Sequence, residues 1–336
     1  MERSNRKSFN LRNFALSYGF LIVLALVFLT YSVFTENFLT LGNLLNILHA
    51  AAPTVILASG LALVIMTGKL DISIGSIIFL ATATGGALLT RANVSPWIAI
   101  PLMAVIGLAC GALNGFIVTV LRVNPFITTM GTMFILRGAA LFVSEGILVG
   151  IPDYMKKFGN AKVGPVFLDT LIAIAILILM TVIHTRTKFG RHVMAVGNGE
   201  EIAKRLGVRT RRVIFTTFLL SGLFASLGGI VSMSQLGGVS LRMGVGLEFT
   251  GIATAVIGGI SLFGGEGSYT GLALGALTLV VIENGLIHMG ASPYIFPLVR
   301  GGIIFIAMYA DSLKSRVQTR VRTEPIETTS ATAAAD

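Results

Sequence analysis

Apolar runs of about twenty residues recur along the whole chain and constrain its fold more than any other feature. Each run is long enough to cross a hydrocarbon core about 30 Å thick. Charge between the runs is sparse, since only 12% of the 336 residues are charged, whereas a soluble domain is about one quarter charged. A transmembrane β-barrel would show alternating segments of about ten residues instead. The sequence therefore predicts an all-α polytopic membrane protein.

The runs predict about ten transmembrane helices, some of them broken. The short, Gly- and Ser-rich segments 72–90 and 248–265 are candidates for interrupted helices, which membranes tolerate only inside protein or beside a water-filled path. The ten candidate spans are 14–34, 44–66, 72–90, 97–120, 126–143, 165–184, 213–233, 248–265, 269–289 and 294–311.

The distribution of lysine and arginine predicts the orientation of these spans. With the N-terminus inside, 18 of the 25 basic residues fall on the inner side and five on the outer side. Basic residues collect in cytoplasmic loops, so both termini are predicted to be cytoplasmic. The same rule explains the net charge of +10 without a nucleic-acid partner. The chain divides into an inner segment 1–13, a transmembrane domain 14–312 with a basic inner loop at 185–212, and a tail 313–336 predicted to be disordered.

None of the common catalytic or nucleotide-binding motifs is present in the sequence. It lacks the G-x-x-x-x-G-K-[ST] phosphate loop, H-E-x-x-H and G-x-S-x-G. Its four histidines show no ligand spacing, and the single cysteine, Cys110, lies inside an apolar run. We therefore expect no enzyme activity, no metal site, no disulfide and no cofactor in this chain.

Charges inside the predicted membrane region are the candidates for function. The stretch MTGKLDISIGS at 66–76 places Lys69 and Asp71 between two spans. Lys69 either extends to the membrane surface from a tight turn or belongs to a break that lines a path. Asp71 opens the next helix and can cap its N-terminus.

Two arginines lie within apolar runs, where an unpaired charge is costly. Arg137 and Arg300 therefore either line a path or form structural ion pairs with Glu145, Glu248 or Glu283.

The inner loop contains the segment GNGEEIAKRLGV at 197–208, which predicts a short helix capped by Gly-Asn-Gly. This helix either lies on lipid headgroups or docks a cytoplasmic partner. A weaker signal is an internal echo, since GKLDISIGS at 68–76 resembles GGISLFGGEGS at 258–268. Paired interrupted helices point to a transport path, although chance similarity explains the echo equally well.

Four motifs occur in the order seen in one known family. They are MTGKLDISIGS, NPFITTMGTMFILRGAALFVSEG, TKFGRHVMAVGNGEEIAKRLGV and GLEFTGIATAVIGGISLFGGEGS, and the resemblance covers roughly 14–312. The chain resembles permease subunits of bacterial ATP-binding-cassette (ABC) importers for monosaccharides, the ribose-type branch that also includes branched-chain amino-acid permeases. It departs from the family pattern at Lys69–Leu70, usually Gly-Ile, and at Phe249–Thr250, usually Leu-Asp.

The resemblance implies a multi-pass permease of the bacterial inner membrane that imports a monosaccharide or polyol by alternating access. It implies a cytoplasmic ATPase subunit that binds ATP, a second permease copy or paralogue, and a periplasmic or extracellular sugar-binding protein, for which the outer loop 144–164 is a candidate contact. The loop residues that it assigns to ATPase coupling are Gly190, Gly197, Glu200, Glu201, Ala203, Leu206 and Gly207.

A neutral sugar requires hydroxyl-compatible polar groups rather than a fixed counter-charge. The residues expected along its path are Asp71, Ser73, Ser76, Asn114, Asn124, Phe126, Thr128, Thr129, Arg137, Glu248 and Asn284. The alternative function is an ion-coupled secondary transporter, which would need a buried carboxylate such as Glu248 or Glu283.

Overall fold

The computed structural model describes residues 11–292, 294–306 and 309, with side chains from residue 22 onward. The predicted disordered tail and most of the segment 1–13 lie outside the described residues. The helices are α1 (Leu11–Phe34), α2 (Leu41–Met66), α3 (Ile74–Thr90), α4 (Pro96–Thr119), α5 (Pro125–Ser144), α6 (Asp153–Gly159), α7 (Leu168–Arg186), α8 (Lys188–Asn198), α9 (Glu200–Arg205), α10 (Thr210–Leu236), α11 (Leu247–Ile257), α12 (Tyr269–His288) and α13 (Ile295–Ile306).

Among the residues whose side chains the structure describes, six helices are long and apolar enough to cross a membrane, namely α2, α4, α5, α7, α10 and α12. The shorter apolar helices are Ile22–Phe34 within α1, together with α3, α11 and α13. Each predicted run therefore contains a helix, and the all-α class is confirmed. The number of ten spans and the cytoplasmic position of the termini stay predictions.

Ordinary capping chemistry sets several helix boundaries. The Asn124 side chain accepts a hydrogen bond from the Phe126 amide (2.9 Å) directly before Pro125, the first residue of α5. The Ser268 side chain accepts one from the Gly271 amide (3.0 Å) at the start of α12. Both residues satisfy amides that a helix N-terminus leaves unpaired. Asn124 and Phe126, two of the expected path residues, are therefore the acceptor and the donor of a helix-capping hydrogen bond.

Helix α10 packs along α4 and α2 at the centre of the bundle. The close contact of α10 with α4 requires glycine, because a Cβ atom on Gly222 would overlap the Gly107 carbonyl oxygen and lie 2.9 Å from the Gly111 nitrogen. Small residues allow such a close approach, which increases the packing contact between membrane helices.

The segment 144–164 forms regular structure at the end of the bundle where α3 ends, since Arg91, directly after α3, pairs with Glu145. Strand β1 (Val149–Gly150) pairs antiparallel with β4 (Gly238–Val239), and β2 (Lys162–Val163) forms a hairpin with β3 (Val166–Phe167). On α6, a hydrogen bond from Lys156 Nζ to Asp153 Oδ1 (3.0 Å) lowers the pKa of the exposed Asp153 carboxyl. The segment is therefore a folded cap rather than an irregular loop.

Candidate functional site

The inner loop forms two helices where the sequence predicted one. Helix α8 ends at Asn198 and α9 begins at Glu200, with Gly199 between them. The predicted short helix is confirmed as α9, with Gly199 of the Gly-Asn-Gly sequence as its N-cap, whereas Gly197 and Asn198 belong to the end of α8. Gly207 follows α9 with φ +85° and open space around its Cα, a conformation that favours glycine.

Helix α9 exposes apolar side chains on one face. Leu206, the C-cap residue of α9, is 78% exposed and Ile202 is 64% exposed, and their i, i+4 spacing puts them side by side. Of the residues assigned to coupling, Glu201 is also exposed, whereas Ala203 is buried. Ile202 was not among those residues, although its spacing from Leu206 is visible in the sequence.

The other residues assigned to coupling anchor the loop. Gly190 packs against the His184 carbonyl, and Gly197 packs against the Met66 carbonyl and the Gly265 amide. Gly190 and Gly197 are therefore positions of close backbone packing, and they are not part of the exposed face of α9.

Two helix breaks and the inner loop meet at one point. The Gly265 amide donates a hydrogen bond to the Met66 carbonyl (2.9 Å), and Asn198 Nδ2 donates to the Gly265 carbonyl (3.3 Å). Lys69 Nζ lies 2.9 Å from Glu200 Oε2. The two segments of the internal echo are also in contact, because a Cβ atom on Gly68 would lie 3.0 Å from the Phe263 carbonyl oxygen. We call this meeting point, made by 66–69, 197–200 and 263–265, the junction.

Four buried polar side chains join the start of α3 to α4 and α10. Asp71 Oδ1 accepts hydrogen bonds from the Ser73 amide (3.0 Å) and the Ser73 hydroxyl (2.6 Å), and Asp71 Oδ2 accepts one from the Ser221 hydroxyl (2.9 Å). Asn114 Nδ2 donates to Ser73 Oγ (2.7 Å). All four residues have 0% exposure. The prediction that Asp71 caps the N-terminus of α3 was wrong in detail, because the N-cap residue is Ser73, without a side-chain capping bond, and the Asp71 carboxylate binds the amide of Ser73 itself, ahead of the helix. The contact of Asp71 with Ser221 was not foreseen.

A cavity of about 270 Å³ brings together three of the expected path residues, Ser76, Arg137 and Glu248. Arg137 donates to the carbonyls of Met243 (2.9 Å) and Leu241 (3.1 Å). Glu248 Oε1 accepts from the Gly246 amide (3.3 Å). The cavity therefore carries a guanidinium and a carboxylate, each positioned by backbone groups.

The structural ion pairs proposed for the intramembrane arginines are confirmed for only one of them. Arg300 pairs with Glu283 (2.6 Å). Arg137 instead binds carbonyls and lies 4.9 Å from the centroid of the Phe79 ring, while Glu145 pairs with Arg91 (2.7 Å).

The remaining expected path residues lie in two other places. Asn284 exchanges hydrogen bonds with Asn43 (2.9 and 3.0 Å) and lines a second cavity of about 150 Å³ together with Arg300. Thr128 and Thr129 are buried on the first turns of α5. The Thr129 hydroxyl donates to the Pro125 carbonyl (2.9 Å), whereas Thr128 Oγ1 has no hydrogen-bond partner among the described residues.

Comparison with known proteins assigns the family. The profile of the branched-chain amino acid transport system / permease component family matches residues 43–308. The chain belongs to this permease family. It is 33% identical over 300 residues to the ribose import permease protein RbsC of Escherichia coli K12, which covers 88% of this chain and 93% of RbsC.

Two further permeases are similar over nearly the whole chain. The D-allose transport system permease protein AlsC of Escherichia coli K12 is 33% identical over 322 residues (94% of this chain, 97% of AlsC). The galactose/methyl galactoside import permease protein MglC of Salmonella typhimurium is 34% identical over 337 residues (94% and 98%). No solved structure shows a significant match. The resemblance to ABC importer permeases is thereby confirmed, and this permease is a multi-pass membrane protein.

Proposed function

We propose that this permease is the membrane subunit of an ATP-driven importer for a monosaccharide or related polyol in the bacterial inner membrane. The observation that carries the proposal is helix α9, which exposes Ile202 and Leu206 and is anchored at the junction of two helix breaks. An exposed apolar pair on a helix joined to the transmembrane core is suited to receive movement from a partner. Relatives named as permeases for ribose, allose and galactose support the substrate class.

The proposal includes three partners. A cytoplasmic ATPase subunit binds ATP and docks on α9 through Ile202, Leu206 and Gly207. A sugar-binding protein delivers the solute at the opposite end of the bundle, next to α6. A second permease copy or a paralogue completes the path, so that ATP-driven movement of α9 alternates access between the two sides.

The solute contacts the cavity lined by Ser76, Arg137 and Glu248. A carboxylate accepts hydrogen bonds from sugar hydroxyls and a guanidinium donates to sugar oxygens. Because the two charges balance, the cavity suits a neutral polyhydroxyl solute better than an ion.

The alternative is an ion-coupled secondary transporter, which Glu248 favours because its carboxylate is nearly buried (9% exposed) beside this cavity. The two functions differ in energy source. An importer of the proposed kind needs its ATPase subunit and, at constant ATP, ignores ionophores, whereas an ion-coupled transporter needs the ion gradient.

Gly207→Arg is expected to abolish sugar-stimulated ATP hydrolysis by the complex reconstituted in liposomes. A residue with a side chain is strained at φ +85°, and the new cation would disturb the surface next to Leu206. The measurement is ATPase rate with and without sugar-loaded binding protein.

The matched control is Gly290→Arg, because Gly290 also has a positive φ (+73°) in open space and also follows the C-cap residue of a helix, here α12. It should retain stimulation. Uptake that proceeds without any ATPase and survives Gly207→Arg would overturn the importer proposal and favour the secondary transporter.

Glu248→Gln is expected to raise the KM for sugar uptake about tenfold or more, because a hydrogen bond to a charged group contributes about 1.5–3 kcal/mol. The amide is nearly isosteric, so the yield of folded protein should stay close to that of the wild type. Glu36→Gln, the same change at an exposed residue before α2, should leave KM unchanged. An unaltered KM in both variants would remove Glu248 from the solute path.

A further inference from the structure

The ion pair between Lys69 and Glu200 connects the ATPase-facing helix to the core of the bundle. Lys69 Nζ and Glu200 Oε2 are 2.9 Å apart; the Lys69 side chain is 16% exposed and the Glu200 side chain 41% exposed. A partly buried pair of this kind is screened less by salt than a fully exposed one. Lys69 lies in the break after α2, while Glu200 is the first residue of α9.

The break at Lys69 leads directly to the solute cavity. Two residues after Lys69, the Asp71 carboxylate binds Ser73 and Ser221, which holds the start of α3 against α10. Gly75, in the first turn of α3, packs against the Gly244 carbonyl and the Glu248 carboxylate without room for a Cβ. Only seven positions therefore separate Lys69 from Ser76 in the cavity wall.

The charges around Glu200 single out the position of Lys69. Glu200 lines a cavity of about 690 Å³ together with Glu201 and Lys69. Five further basic residues line the same cavity, namely Arg122, Lys204, Arg209, Arg211 and Arg212. Of the cations in this cavity, Lys69 forms the ion pair with Glu200 within the described part of the chain. Lys69 is also the one that belongs to the break ahead of α3. Positive charge near Glu200 is thus plentiful, whereas a direct connection from α9 to α3 runs through Lys69.

We propose that Lys69 is a positioning residue that, through its ion pair with Glu200, transmits movement of α9 to α3 and the solute cavity. This inference rests on the proposed function and deepens it by naming the contact through which ATP hydrolysis is coupled to transport. The hydrogen bond from Asn198 Nδ2 to the Gly265 carbonyl and the packing of Gly197 against the Met66 carbonyl keep the loop attached to the bundle. Loss of the ion pair should therefore uncouple the subunits without separating them.

The test is a charge-swap cycle with Lys69→Glu, Glu200→Lys and the double variant, each reconstituted with its ATPase and binding protein. The measured quantity is sugar imported per ATP hydrolysed. Residues in one ion pair show non-additive effects in such cycles, and each single variant should lower the ratio about threefold or more. The double variant should recover most of the loss. Arg122→Glu, which makes the same charge change in the same cavity outside the break, should keep a ratio near that of the wild type.

Size-exclusion chromatography measures assembly of each variant with the ATPase. It distinguishes a loss of movement transmitted from α9 to α3 from a loss of ATPase docking. Lys69→Glu should assemble with the ATPase as the wild type does. If the charge reversal prevents folding, Lys69→Gln, which removes the charge without reversing it, is measured instead and should show a lowered ratio of sugar imported to ATP hydrolysed. A wild-type ratio in Lys69→Glu, no recovery in the double variant, or loss of assembly would overturn the role of Lys69. Each of these results leaves the proposed importer intact, which fails only if the wild-type chain transports without an ATPase.

Discussion

Asp71→Ala should sharply reduce the yield of folded protein and abolish sugar uptake. The Asp71 carboxylate is the acceptor for the Ser73 amide, the Ser73 hydroxyl and the Ser221 hydroxyl, all without exposure to solvent. A buried polar group left without its partner costs about 1–3 kcal/mol. Loss of three bonds at once therefore removes a large part of a stability that is typically about 5–15 kcal/mol.

The measurement is thermal unfolding of the purified permease in detergent, together with its yield in membranes. Ser221→Ala is the matched control, because it removes one of the same hydrogen bonds and leaves the carboxylate bound to Ser73. We expect about 1 kcal/mol of destabilisation in the control. Equal midpoints for Asp71→Ala and Ser221→Ala would mean that the carboxylate contributes little to holding α3 against α10.

Gly222→Val should prevent α4 and α10 from reaching their native distance. A Cβ on Gly222 would overlap the Gly107 carbonyl, a backbone atom that cannot turn aside as a side chain can. Overpacking typically costs about 1–3 kcal/mol and more where the backbone itself must move. Because α10 also packs on α2, separation from α4 would disturb the centre of the bundle.

The control for this substitution is Gly131→Val. Gly131 lies within α5 and has open space where a Cβ would be added, so the intrinsic effect of valine on a helix is matched and the overlap is absent. Fluorescence-detected size-exclusion chromatography of the membrane extract should show a monodisperse peak for Gly131→Val and a lost or aggregated peak for Gly222→Val. Two similar peaks would show that the α4–α10 contact tolerates a larger separation.

The inner loop 185–212 shows what sequence pattern alone did not predict. The segment 197–208 was correctly predicted to contain a helix, because Gly-Asn-Gly precedes an amphipathic stretch. The pattern did not separate the exposed residues from the packed ones. Gly197 and Ala203 are turned towards the bundle, while Ile202 and Leu206 face outward, since the loop is anchored by contacts with breaks more than fifty residues away in the sequence.

The sequence by itself determined the membrane class, the approximate positions of the apolar helices and the family. These depend on local quantities, namely the length of apolar runs, the caps at their ends and the residues of four motifs. Only the tertiary structure decided the partners of the charged residues: Lys69 with Glu200, Asp71 with Ser221, and Arg137 with two backbone carbonyls. The physical reason is that hydrophobicity drives every span into the membrane alike, whereas the choice of neighbouring helix depends on close packing of small residues between segments distant in the chain.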